Sequence, residues 1–249
     1  MNSNGRAVIG HRGNGKNSLT GSDIPENTLK AFRAADDAGV DAFETDIRLT
    51  KDRVPILFHD HEYKDKLVSD YTFQELKSEI PEVTTFEELI QAFPQKPIYL
   101  ELKHEVDNDY LLPFLAEKYR SNLTSHQIKV ISFTMDFLVK IKSLCPEAYC
   151  GWIATSVFSD PGRLKLFIFK KDVEYVKKVN IDAIYGHYLS FLTRSAVKKG
   201  KRLGVEVGVG MINNRFWFYR SQWLGIRLVF TDYPQKVIHW INQSAWRFK

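Results

Sequence analysis

Four short clusters of ionisable residues in this sequence are able to do chemistry: His11-Arg12, Glu44-Thr45-Asp46, His59-Asp60-His61 and Glu101-Leu102-Lys103. All but the third close an apolar run that reads as a β-strand. Residues two apart on a strand point the same way, so Glu44 and Asp46 project together, as do Glu101 and Lys103. Carboxylates crowded into a partly dry pocket repel one another unless a cation or a paired base neutralises them, and an all-oxygen set suits Mg2+ or Ca2+ better than zinc. The same pattern also fits acids exposed at a twisted strand end, with Glu101 paired to Lys103. His11 and His59 have side chains whose ordinary pKa allows one to act as base and the other as acid near neutral pH, beside a phosphate for instance. His61 shares the alternation of His59 and competes for its place. Arg12 offers a planar fork that matches two phosphate oxygens, and Lys103 offers a point charge. His104, His126, His187 and His239 lack such company and read as structural or surface residues.

Bringing these clusters together requires elements that start far apart in the chain and end at one place. Apolar runs begin at Ala7, Ala42, Ile98, Ile128, Ala148, Ile181, Gly204 and Leu228, and each is followed by enough chain for a crossover helix. That count predicts an α/β fold of the TIM (β/α)8 type, one domain over residues 1–249, with a small insertion after the second strand at about 54–84. A doubly wound sheet shares the rhythm. It usually has fewer strands at this length, and a glycine-rich phosphate turn after the first. Leu29, Phe32 and Ala35 lie at helical spacing, Pro55 to His59 reads as an extra extended piece, and Thr85 with Glu88 predicts a capping box for a helix over Thr85 to Phe93. Barrel enzymes place their chemistry at the carboxyl ends of the strands, which is where the first, second and fourth clusters fall.

Composition narrows the class. A chain of 249 residues, 44% hydrophobic and 26% charged, buries one substantial core and is neither a disordered tail nor a coiled coil. The net charge of +5 and pI of about 9.0 suit an anionic ligand and are compatible with peripheral membrane contact. Lys170, Lys171, Lys177 and Lys178 read as solvated helix faces, and no nucleic-acid motif accompanies them. Cys145 and Cys150 match no zinc spacing and make no disulfide framework. Met1 to Gly5 is polar, the apolar run Ala7 to Ile9 is too short for a signal or membrane segment, and the expectation is a cytoplasmic enzyme.

The segments Gly10-His11-Arg12-Gly13, Pro25-Glu26-Asn27-Thr28, Glu44-Thr45-Asp46, Pro55-Ile56-Leu57-Phe58-His59-Asp60, Glu101-Leu102-Lys103 and Thr231-Asp232-Tyr233-Pro234 strongly resemble, in order and spacing, the glycerophosphodiester phosphodiesterase family. The resemblance runs from about Ile9 to Trp240. It implies a TIM-type barrel in which Glu44, Asp46 and Glu101 hold a divalent metal ion, Mg2+ or Ca2+, while His11 and His59 exchange protons. It also implies that Arg12 and Lys103 grip phosphate, and that Glu26 supports the substrate site. The implied reaction is hydrolysis of a small-molecule glycerophosphodiester to glycerol 3-phosphate and an alcohol, through attack by a neighbouring hydroxyl or by water. Which histidine is acid and which is base stays open, as do the oligomeric state and the preferred alcohol. A lysophospholipase D acting on single-chain lipids and a catalytically inactive binding barrel are the alternatives.

Three departures from the family pattern stand out. The loop Asn14 to Ile24 is longer than in many bacterial members and resembles the eukaryotic branch. The excursion after Asp60 is short. Gly210-Met211-Ile212-Asn213 replaces a stretch that commonly begins with tryptophan; Phe216 to Tyr219, just downstream, reads as a helix packing on the barrel.

Overall fold

Short runs of β-branched and aromatic residues, buried on both faces, form a closed sheet of parallel strands. In the computed structural model, which describes residues 6–103, 108–154, 167–168, 170–188 and 191–246, these are β1 (Ala7–Gly10), β2 (Ala42–Leu49), β6 (Ile98–Leu102), β7 (Ile128–Ser132), β8 (Tyr149–Ile153), β10 (Ala183–His187), β12 (Glu206–Gly210) and β13 (Leu228–Thr231). Met1–Gly5 and His104 lie outside the described residues. The order β1-β13-β12-β10-β8-β7-β6-β2 closes through a β1–β2 pairing, which makes the chain the (β/α)8 barrel that the strand count predicts. The observed strands start within two residues of the predicted ones. Gly204 is the exception in kind: its φ of 69° makes it the left-handed cap of a helix, not the head of a strand.

Helices α2 (Leu29–Asp37), α4 (Phe86–Ala92), α5 (Asn108–Lys118), α6 (Arg120–Thr124), α7 (Met135–Leu144), α8 (Lys170–Lys178), α9 (Arg194–Leu203), α10 (Arg215–Leu224) and α11 (Pro234–Trp246) follow the strands, with a single turn, α1 (Asn17–Thr20), in the first loop. Thr28 caps α2 by accepting from the Ala31 amide, and the Thr85–Glu88 capping box of α4 is present. One short parallel pairing, β9 (Phe167–Ile168) with β11 (Phe191–Leu192), lies outside the barrel.

Alternation along the strands sorts the side chains into two cores. Val8, Phe43, Leu100 and Val130 face outward under the helices. Ile9, Ala42, Tyr99, Ile131, Tyr185, Leu228 and Phe230 face inward, where the rings of Tyr99 and Tyr185 each meet Phe230 at 5.3 Å. Two residues beyond Ile9, Ala42, Tyr99, Tyr185 and Phe230, toward the carboxyl ends, the positions are polar: His11, Glu44, Glu101, His187 and Asp232.

The insertion after β2 is a small unit with a core of its own. Its strand β3 (Pro55–Leu57) adds antiparallel to β2, and it continues through β4 (Glu62–Tyr63), β5 (Lys66–Leu67) and a 3-10 turn to α3 (Phe73–Glu79). Ile56, Val68, Leu76 and Val83 pack together beneath it. A second capping box, Thr72 with Glu75, starts α3.

Candidate active site

The strand ends converge as their spacing requires. Glu44, Asp46 and Glu101 are buried, and one carboxylate oxygen from each lies within 4.8 Å of the others. Burial, with Asp46 and Glu101 alongside, pushes the Glu44 carboxyl up to about 8. Burial raises Glu101 as well. It would raise Asp46 too, but Lys103 and then Arg12 outweigh it and hold Asp46 well below the usual carboxylate range. Lys103 Nζ lies 2.7 Å from Asp46 Oδ1 and also pairs with Glu101. The anticipated Glu101–Lys103 pair therefore exists, inside the cluster and not in place of it. Glu44 Oε1 is buried with no hydrogen-bond partner. An all-oxygen donor set with one orphaned carboxylate oxygen fits a hard divalent ion.

His11 sits at the end of β1, with its Nδ1 2.6 Å from Asp232 Oδ1 and its Nε2 3.8 Å from Glu44. Burial disfavours the imidazolium, yet Glu44 and Asp232 outweigh that and raise the His11 pKa. Asp232 in turn is held down to about 2 against its own burial, chiefly by the His11 hydrogen bond. Asn213 fixes Asp232 from both sides, donating Nδ2–H to Oδ2 at 2.7 Å and accepting from the Asp232 amide at 2.9 Å. The long first loop is tied to the same carboxylate through the Lys16 amide, at 3.0 Å.

Arg12 occupies a left-handed conformation, φ 49°, uncommon for a residue with a Cβ. Its amide donates to Glu44 Oε2 at 2.9 Å, its carbonyl accepts from the Asn27 amide, and its guanidinium pairs with Glu26 and lies 3.5 Å from Asp46. Its Nε–H points at His11 Nε2 at 3.3 Å, the long end of the hydrogen-bond range. Glu26 precedes the cap of α2, so it serves no helix dipole; it binds Arg12 and accepts from the Asn17 amide at 2.8 Å. Gly15 lets the loop pass over Asp232: its φ is 95°, and a Cβ there would stand 2.0 Å from the Asp232 carbonyl oxygen.

His59 follows β3, half-buried, with Nδ1 2.7 Å from Asp60. Burial lowers its pKa, and Arg12 and Lys103 add to that against the pull of Asp46. Its carbonyl accepts two hydrogen bonds from Arg48 of β2, at 3.0 and 2.8 Å. His61 is exposed, and its Nδ1 faces Arg48, so the choice left open by alternation falls on His59 as the residue near the carboxylates. His126 and His239 lie at the surface; His187, at the end of β10, lines the barrel mouth.

Two cavities meet at this cluster. A chamber of about 160 Å3 lies over the barrel axis, walled by Ile131, Phe133, Ile153, Met211 and Phe230 beside His11, Glu44 and Glu101. A polar cleft on the other side is lined by Arg12, Asn17, Glu26, Asn27, His59 and Asp60. Sequence reasoning assigned no role to Asp232, Asn213 or Asn27. Asp232 was in reach: it lies two residues beyond an inward-facing strand residue, at a strand end. Asn27, whose amide group bridges Asp46 (3.0 Å) and Thr45 (2.8 Å), and Asn213 sit in loops, where no periodicity marks them.

The model of the glycerophosphoryl diester phosphodiesterase family matches residues 11–236. The chain belongs to that family of enzymes. Among its relatives in the family, the glycerophosphodiester phosphodiesterase of Bacillus altitudinis is 30% identical over 255 residues, which cover 93% of this chain and 96% of that protein. The glycerophosphocholine phosphodiesterase gde1 of Schizosaccharomyces pombe is 50% identical over 60 residues, 23% of this chain and 5% of that protein, so the match takes in a small part of that relative's length. A phosphodiesterase of Oleispira antarctica, solved in complex with the product sn-glycerol-3-phosphate, superposes with a TM-score of 0.73 at 25% identity, covering 95% of this chain and 96% of that one.

Proposed function

We propose that this family member hydrolyses glycerophosphodiesters to glycerol 3-phosphate and an alcohol, with His11 and His59 as the proton-transfer pair. The observation that carries the reading is the meeting of two histidines, two cations and three buried carboxylates at one barrel mouth. Glu44, Asp46 and Glu101 would hold the Mg2+ or Ca2+ ion, which when bound supplies charge stabilisation to a phosphoryl group. Arg12, already oriented by Glu26, offers its fork to the phosphate oxygens, and Lys103 adds a positive charge next to it.

Each histidine has its Nδ1 engaged by a carboxylate, so Nε2 is the nitrogen that would serve substrate; at His11 that nitrogen faces the Arg12 Nε–H at 3.3 Å, a long contact that a bound phosphate drawing the guanidinium away would release. His59, whose pKa is lowered, is neutral at physiological pH and takes a proton from the attacking hydroxyl, either the neighbouring glycerol hydroxyl or water. His11, whose pKa is raised, returns a proton to the departing alkoxide. With the neighbouring hydroxyl as nucleophile the first product is a cyclic phosphate, and water then opens it with the two roles exchanged.

The apolar chamber beside His11 favours a second reading, in which the departing or retained group carries a hydrocarbon chain, as in single-chain lysolipids. Turnover of glycerophosphocholine, glycerophosphoethanolamine and lysophosphatidylcholine, with and without chelator, tests both. Release of glycerol 3-phosphate from the first two, abolished by chelation, is expected. Choline release from the lysolipid alone would favour the second reading, and turnover of none of the three would refute both.

A further inference from the structure

Helix α10 carries an aromatic stripe that the barrel does not use. Phe218 and Leu224 face the core, whereas Phe216, Tyr219 and Trp223, at i, i+3 and i+7, are 70, 37 and 64% exposed. Large rings left in water along one helical line are a surface awaiting a partner.

The charge around the stripe says which partner. Neither α9 nor α10 contains an acidic residue, and Arg194, Lys198, Lys201, Arg202 and Arg215 are exposed on them. The guanidinium of Arg194 lies over the Trp223 ring at 5.0 Å and that of Arg220 over Trp217 at 5.2 Å, so cations and rings share one face. Lys199 is occupied by Glu174 of α8, at the edge of this region. From Arg194 to the end of α11 the acids are Glu206, bonded to Tyr149 in the barrel, and Asp232, bonded to His11. Tryptophan, tyrosine and phenylalanine flanked by arginine and lysine suit the interface of a bilayer, where rings settle among the headgroups and cations meet anionic lipid.

We propose that the α9–α10 face docks on an anionic lipid surface. Helix α10 starts just after the carboxyl end of β12, and the Trp217 ring meets Tyr188 at 5.3 Å, which in turn lies tilted against His187 of the chamber wall at 4.2 Å. Docking therefore brings the rim of the apolar chamber to the membrane. Docking through this face does not depend on which phosphodiester is cleaved.

Cosedimentation of the full chain with vesicles of phosphatidylcholine, alone or mixed equally with phosphatidylserine, tests it. Binding to the mixed vesicles at low salt is expected, with loss at high salt and a blue shift of tryptophan emission. Phe216→Ser with Trp223→Ser, and separately Lys198→Glu with Lys201→Glu, should each lower the partition by about tenfold or more, with far-UV circular dichroism and turnover of soluble substrate unchanged. Equal partition of wild type and both variants would overturn the proposal. So would a wild-type dimer in light scattering that the aromatic variant dissociates, or tighter binding to duplex DNA than to the mixed vesicles.

Discussion

At the scale of single residues, the site is organised around protons whose affinities are set by burial and by near neighbours. Asp232 orients the His11 ring and favours its charged form, so Asp232→Asn is expected to reduce turnover by roughly 10²–10⁴-fold while the fold survives. Steady-state kinetics alongside circular dichroism would check this; near-normal activity would remove Asp232 from the machinery. His11→Ala and Glu44→Ala should each abolish nearly all turnover. Glu44, pushed up to about 8, holds a proton at neutral pH when no cation is bound. A divalent ion must displace that proton, so apparent metal affinity should rise by up to about tenfold per pH unit and level off above about pH 8. Calorimetry in buffers of differing ionisation enthalpy measures the proton released, and a pH-independent affinity with no proton release would contradict the assignment.

At the scale of elements, Arg48 of β2 holds the backbone of His59, which no barrel strand carries. Arg48→Ala should therefore lower kcat by tenfold or more with little change in the KM of a small diester, because the histidine is displaced while the phosphate grip is intact. A KM rise with unchanged kcat would say instead that Arg48 serves binding. The contrast between β2 and the loops also explains what could be read from sequence. The strands were legible because each is a short apolar run, the first three of them ended by charge, and a closed parallel sheet buries both faces of every one. Glu44, Asp46, Glu101 and Lys103 were legible for the same reason, since alternation alone aims them inward. The tie from Asn213 to Asp232 and the tie from Asn27 to Asp46 were not, because they join residues 19 apart through loop conformations that no periodicity encodes. Gly210, where the family pattern commonly has tryptophan, was legible as a departure; the chamber it borders, with Met211 on the wall, was not.

At the scale of the whole molecule, burying three carboxylates at one barrel mouth makes the stability of the metal-free protein pH-dependent. The folded-state pKa of Glu44 lies above its unfolded value, so its contribution is fully present below the ordinary carboxylate pKa and is lost as pH rises through about 8. The metal-free protein should accordingly show a Tm that falls between about pH 5 and 8, and Mg2+ or Ca2+ should restore more of it at pH 8 than at pH 5. Thermal melts with chelator or excess metal across that range check the sign. A Tm that rises with pH in chelator would mean that the carboxylates are paired more completely than their geometry indicates. Asp232 acts the other way: its depressed pKa contributes stability above the ordinary carboxylate range, lost as pH falls toward about 2.

The unit that carries His59 has its own small core, Ile56, Val68, Leu76 and Val83, and is joined to the barrel by the short antiparallel strand β3, the Arg48 hydrogen bonds to His59 and a few backbone bonds beside them. Two bodies with separate cores need not soften at the same temperature. On warming, the smaller one is expected to loosen first and take His59, one of the two proposed proton-transfer groups, with it, so the enzyme would fall silent reversibly, in a window where the barrel still gives an intact circular dichroism spectrum.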